Sequence, residues 1–380
     1  MIIRITVLIF FLLGACRNSH RTSIIGTEEF DTALSVKFAR GFEINPHPHF
    51  VKLTVLNPWQ NATGIEYNYF LSDTVKKSSR LDDFTWIIRT PVRNVVCLST
   101  THIGLLSFIS QTGTVTGVSG KNYVVNALVR EKIENGDIAD VGYDEGLNYE
   151  LIVDLYPDVV FAYGVSVSVT NIVRKLNELG IPVVLIGEYL EPDPLGKTEW
   201  VKAVAACYEQ LTQATEKFDS VVVRYNTLSS LAANTGTRPE ILLGLPWQGT
   251  WYISGGQSYI ARLIHDAGGN YIWRDFDFNE SRPMGLEKIY EKALTAEFWI
   301  NSGEARSLKQ IIATDPRFGN LPPMINGNVF NNDNQLTSFG GNDFYETGVT
   351  EPDIILSDLI SILHPHLLPS HKLKYYRKVN

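Results

Sequence analysis

Few side chains in this 380-residue chain are spaced for catalysis or for holding a metal. His47-Pro-His49 has the spacing of a metal pair, but no third ligand lies near it, and a Pro-rich turn accounts for it. His364-Pro-His366 falls at a helix end, where a polar C-terminal cap is the simpler role. Gly120-Lys121 is not a phosphate loop, because Val115 occupies the required first glycine position and Asn122 follows the lysine. There is no Gly-x-Ser-x-Gly elbow and no His-Glu-x-x-His. Asp82-Asp83 belongs to a polar turn. Cys97 in an apolar strand and Cys207 in a helix read as small hydrophobes, and their spacing fits neither a zinc ribbon nor a redox pair. Nothing here calls for an enzyme or a resident metal.

Binding chemistry is better represented. Polar and aromatic residues gather in loops after apolar strand runs. In the first half these are Ser99, Thr100, His102, Lys121, Asn122, Tyr123, Tyr143, Asp144 and Tyr163. In the second they are Trp247, Trp251, Tyr252, Arg282, Asn342 and Tyr345. Aromatic rings offer flat contact area at low entropy cost, so the set predicts a bulky, partly apolar ligand held without covalent bonds. Each aromatic taken singly is as well explained by packing. His102 could ligate a metal centre, although a polar residue starting a helix needs no metal.

These loops need a frame. NVVCLS, TVTGVSG, DVVFAYG and IPVVLIG read as buried parallel strands alternating with the helices HIGLLSFIS, NYELIVDLY and NIVRKLNELG. The rhythm returns in EILLGLPW, SYIARLIHDAGG, NYIW, GLEKIYEKALTAEFWINSG and the closing helix PDIILSDLISILHP. Between the halves, Ala214, Phe218, Val221, Tyr225, Leu228 and Ala232 recur on one helical face, and Asn234 and Gly236 follow as stop signals. The predicted fold is α/β: two Rossmann-like lobes, residues 93–208 and 235–380, joined by one long helix over 209–234. NYELIVDLYPDVVFAYG and GLEKIYEKALTAEFWINSG form a weak repeat, one in each lobe. Like halves predict a cleft, with ligand beyond the carboxyl ends of the strands. Residues 17–92 hold a tether and a small β-rich extension with an antiparallel pattern (LSVKFARGFEI, FVKLTVLNPW, IEYNYFLS, FTWIIRT), either appended to the main body or packed against it.

Arg4, the apolar run Ile5 to Leu13 and then Gly14, Ala15 and Cys16 have the layout of a secretory signal over residues 1–16. The run is too short to span a bilayer comfortably. Leu-Gly-Ala-Cys resembles a bacterial lipobox, which predicts a lipid on Cys16 and a membrane anchor. A net charge of −8 and the lack of a Lys/Arg-rich run argue against a nucleic-acid partner.

STTHIGLLSFI, VTGVSG, VGYDEGLNYELIVDLYPDVVFAYG, LNELGIPVVLI, GGQSYIARLIHDAGG and GLEKIYEKALTAEFWI stand in an order that resembles periplasmic substrate-binding proteins of the helical-hinge type. The resemblance covers roughly residues 93–365 and rests on the ordered set, since no one motif is diagnostic. It implies a monomeric, lipid-anchored protein on the periplasmic side of a bacterial membrane. It would bind a metal chelate (a ferric siderophore or cobalamin, with haem as the alternative) and deliver it to an ABC permease and its ATPase. It also implies that Tyr123 could ligate haem iron and that Glu150 and Glu287, at matching places in the repeat, dock on the permease. The β extension departs from the family's compact pattern and leaves a surface receptor open as another reading, as is a secreted enzyme on the same scaffold.

Overall fold

The computed structural model describes residues 34–143 and 146–380. Cys16 and Asp144 lie outside the described residues.

Alternating apolar and polar residues build the first sheet from β1 (Phe42–His47), β2 (Phe50–Leu56), β3 (Glu66–Ser72), β4 (Ser79–Arg80) and β5 (Thr85–Arg89). Leu53 faces Tyr69 and Val55 faces Tyr67 across the β2–β3 ladder, so the buried side chains share one face. The sheet is mixed, where the sequence pattern predicts an antiparallel unit. β5 runs parallel to β3, because the chain between them crosses over and lays β4 antiparallel on the outer edge of β5. This sheet packs against the next: Trp86 Nε1 donates to Asn177 Oδ1 at 3.1 Å, and the Leu185 N–H donates to the Tyr69 hydroxyl at 3.3 Å.

The run LSVKFARGFEI becomes strand only at Phe42. Ahead of it, the N–H groups of Lys37, Phe38 and Ala39 donate to the Glu199 carboxylate, and those of Arg40 and Gly41 to Glu191, all at 2.7–3.0 Å. Two carboxylates thus satisfy five consecutive donors that lack a ladder partner. Lys202, fully buried, pairs with Glu199 at 2.8 Å and donates to the Ser35 carbonyl at 2.9 Å.

The second sheet contains β6 (Val95–Cys97), β7 (Val115–Val118), β8 (Ala139–Asp140), β9 (Val159–Ala162) and β10 (Val183–Leu185), all parallel in the order β10-β9-β6-β7-β8. β6, β9 and β10 are buried at every residue, the mark of strands covered on both faces by helices. The third sheet orders β13 (Asn270–Tyr271), β11 (Glu240–Leu243), β15 (Phe298–Ile300), β16 (Val329–Asn331) and β17 (Arg377–Lys378), with β17 as an antiparallel edge. β12 (Trp251–Ser254) and β14 (Ser281–Met284) pair separately as an antiparallel ribbon.

One helix, Leu211–Ala233, joins the two parallel sheets. Ala214, Phe218, Val221, Tyr225 and Ala232 are buried along it, as the periodicity predicts. Asn234 closes it by donating its side-chain amide to the Ser230 carbonyl at 2.9 Å. The closing helix Pro352–Leu363 packs beside it, and Arg224 Nε meets Asp353 Oδ2 at 2.6 Å. Cys97 and Cys207 are buried free thiols, and burial pushes the Cys207 pKa up to about 12.

Candidate functional site

The carboxyl ends of strands from both lobes face one space. Ser99, Thr100 and Thr101 follow β6, Asn301 follows β15 and Asn332 follows β16. Ser99 shapes the first of these ends, because its hydroxyl caps the helix Thr100–Phe108 by accepting the Thr101 N–H. A cavity of about 730 Å³ spans the lobes here, with Thr100 and Tyr123 on one side and Asn301, Arg306, Asn332, Asn342 and Tyr345 on the other. Tyr123 and Tyr345 are more than half exposed, so their rings stand ready for contact. Arg306 adds a guanidinium with no ion pair among the described residues.

A chamber of about 200 Å³ shares Asn301, Asn332 and Tyr345 with that cavity and adds Thr101, Lys197 and Tyr259. Burial pulls the Lys197 ammonium below its ordinary pKa, and the Glu188 carboxylate acts in the opposite sense. Burial raises Glu188 in turn, with Lys197 and the Thr101 hydroxyl opposing. In the N-terminal lobe, Tyr143, Tyr149 and Tyr163 line a further cavity of about 550 Å³ with Ser119, Val165 and Ile172. Lys121 and Asn122 line one of about 320 Å³ beside Arg130 and Phe339.

The lobes are clasped behind this space. Glu346, fully buried, accepts the N–H groups of Val125 at 2.8 Å and Asn126 at 2.6 Å. Burial and Asp343 raise its carboxyl to about 7, against the lowering effect of those two bonds and of Arg130. Gly104 permits the approach: a Cβ there would come within 1.9 Å of the Glu346 carbonyl oxygen. The Thr198 hydroxyl donates across to the Val349 carbonyl at 2.9 Å.

Of the sequence-predicted residues, Thr100, Tyr123, Asn342 and Tyr345 meet in the lobe-spanning cavity. Tyr143 and Tyr163 share the N-terminal cavity. Three predicted ligand contacts take other roles. Trp251 is 2% exposed, donates its indole N–H to the Leu243 carbonyl at 3.2 Å and stacks on Trp299, because β12 turns that face into the core. His102 is fully buried with its ring edge-on to Phe161 and Tyr163, and burial lowers its pKa to about 3, so it is neutral packing. Arg282 is exposed but engaged locally, paired with Glu280 and lying 4.0 Å over the Phe278 ring. Trp247 and Tyr252 are exposed at the ribbon and the turn before it, outside the lining of these cavities.

Glu150 and Glu287 both lie in the first turns of exposed helices, Tyr149–Asp154 and Leu286–Ala293. The Glu287 side chain is 83% exposed, with Arg317 at 3.9 Å. Lys197, Tyr259 and Arg306 escaped the sequence reading. Lys197 and Tyr259 sit in helices, away from the loops after strands that the sequence pattern points to. Among the described residues no three His, Cys, Asp or Glu side chains converge as a metal set, and no helix is long and apolar enough to cross a membrane.

The chain is similar to an uncharacterised lipoprotein of Methanocaldococcus jannaschii, 27% identical over 349 residues that cover 86% of this chain and 81% of that protein. The fold is that of solved periplasmic proteins. A molybdate periplasmic binding protein of Haemophilus influenzae matches with a TM-score of 0.57 and 18% identity over 76% of this chain and 90% of its own. A periplasmic haem-binding protein of Pseudomonas aeruginosa matches with a TM-score of 0.54 and 13% identity, over 76% of this chain and 98% of its own. The family model for periplasmic binding proteins matches residues 95–336, well over half of the sequence, and the chain belongs to that family.

Proposed function

We propose that this protein captures a metal chelate in the cleft between its lobes and passes it to an ABC permease and its ATPase, without chemical change. The observation that carries the reading is the 730 Å³ cavity at the carboxyl ends of parallel strands from both lobes, walled by two tyrosines and several asparagines. A volume of that order suits a ligand of drug or chelate size, and aromatic faces with amide donors suit one that is partly apolar. The ligand class proposed is a ferric siderophore or a cobalamin. Haem is the second reading, favoured by Tyr123, whose exposed ring lines the cavity and could offer a phenolate to iron.

Lipid on Cys16 would hold the protein at the periplasmic side of the membrane, as the lipoprotein relative's name supports. Glu150 and Glu287, one exposed carboxylate per lobe, would meet cationic residues of the permease. Titrating ferric siderophores, cobalamin and haem into the full-length protein, with intrinsic fluorescence as readout, tests the assignment. Submicromolar affinity for one of them is the expected result, and affinity for none removes the metal-chelate assignment.

A further inference from the structure

The small chamber between the lobes is built for charge. It measures about 200 Å³, against about 730 Å³ for the cavity beside it. It is the smaller annex of that cavity, with which it shares Asn301, Asn332 and Tyr345. Lys197 points its cation here: Nζ lies 5.1 Å from the centroid of the Tyr259 ring and has no ion pair within 4.0 Å among the described residues. Glu188 is the compensating acid. It is buried, stands beyond ion-pair distance, and its Oε2 makes no hydrogen bond. Asn332 is only 6% exposed, lines the chamber, and its side-chain amide has no hydrogen bond within the protein. Thr101 adds a hydroxyl from the first turn of the helix that follows β6; it lies 2.9 Å from the Ser99 hydroxyl, and by accepting from Ser99 it keeps its own proton for the chamber.

A half-buried cation, a buried amide without a partner and a hydroxyl lining one small chamber match an oxyanion. A neutral group of that size would leave the ammonium with only a remote counter-charge. We propose that this chamber is an oxyanion subsite in which Lys197 supplies the charge and Asn332 and Thr101 the directional contacts. Its occupant is a carboxylate or a tetrahedral oxyanion, either an anionic limb of a chelate seated in the neighbouring cavity or a free anion. The first source rests on the transport function proposed above.

Calorimetry of the full-length protein with sulfate, citrate and ferric citrate tests this. At least one should bind, at least tenfold more weakly to Lys197→Met. Asn332→Asp keeps the side-chain shape and adds a negative charge, so it should weaken binding similarly even if the lysine variant folds poorly. Glu188→Gln removes the competing acid and should tighten binding severalfold. Ferric citrate binding without binding of the free anions identifies the limb, and equal binding of free citrate or sulfate identifies the free anion. If none of the three binds, or if binding survives both Lys197→Met and Asn332→Asp, the subsite is overturned. Cobalamin or haem bound by the wild type while none of sulfate, citrate and ferric citrate binds would sink the subsite alone. Oxyanion binding with no chelate bound would sink the chelate reading alone.

Discussion

The carboxylate of Glu346 accepts the backbone N–H of Asn126 at 2.6 Å, across the junction of the two lobes. The same Asn126 caps the helix Ala127–Glu134 by accepting the Val129 N–H at 3.2 Å. One buried acid near the C-terminus therefore fixes the start of a helix in the N-terminal lobe. The same carboxylate also accepts the Val125 N–H at 2.8 Å, so it ties the C-terminal segment to the N-terminal lobe at two consecutive residues.

The clasp should show in the pH dependence of stability. Glu346 has its carboxyl raised from 4.5 to about 7 by burial. Between those values the folded state binds more protons than the unfolded one, so this group's contribution is fully present below pH 4.5 and is lost as pH rises through 7. The loss is on the order of 3 kcal/mol by linkage. Glu346→Gln, measured by urea unfolding from pH 4.5 to 8, should be destabilised at low pH and close the gap on wild type as pH rises. Parallel curves would show that Glu346 does not titrate in this window.

Trp251 and Tyr345 should behave oppositely. Trp251→Ala opens the core against Trp299 and Phe318 and should cost about 3–5 kcal/mol of stability. Tyr345→Ala removes an exposed ring from the cavity wall and should leave stability nearly unchanged. It should weaken ligand binding by about 1–3 kcal/mol. Melting curves and a binding titration on both variants separate the two roles.

Glu150→Ala with Glu287→Ala should leave folding and ligand affinity nearly intact, since both side chains are exposed helix-start carboxylates. As helix chemistry each carboxylate contributes only about 0.3–1 kcal/mol. Uptake of the ligand by cells lacking the native protein should nevertheless be abolished. Normal uptake would reduce the two acids to helix chemistry.

Cys16→Ser should release the protein from the membrane fraction into the soluble one. Unchanged fractionation would rule out Cys16 as the anchor.

The frame was legible because strands buried on both faces, such as Val159–Ala162, must be continuously apolar, and a one-sided helix such as Leu211–Ala233 must show its period. Cavity residues were legible where they directly follow a strand, as Thr100 does. Trp251 misled because a loop tryptophan and a core tryptophan look alike until the β12–β14 ribbon decides which face it presents. Lys197 was hidden because a lysine in a short helix reads as surface unless tertiary packing covers it. The bonds from residues 37–41 to Glu199 and Glu191 join segments some 150 residues apart, and no local pattern announces them.

The most direct test is native mass spectrometry, with metal analysis, of the full-length protein purified from the membranes of its own host. The account predicts one small-molecule adduct per chain carrying iron or cobalt, and its loss in a Tyr123→Ala, Tyr345→Ala double variant. An adduct free of metal, or a metal-bearing adduct held undiminished by the double variant, would contradict it.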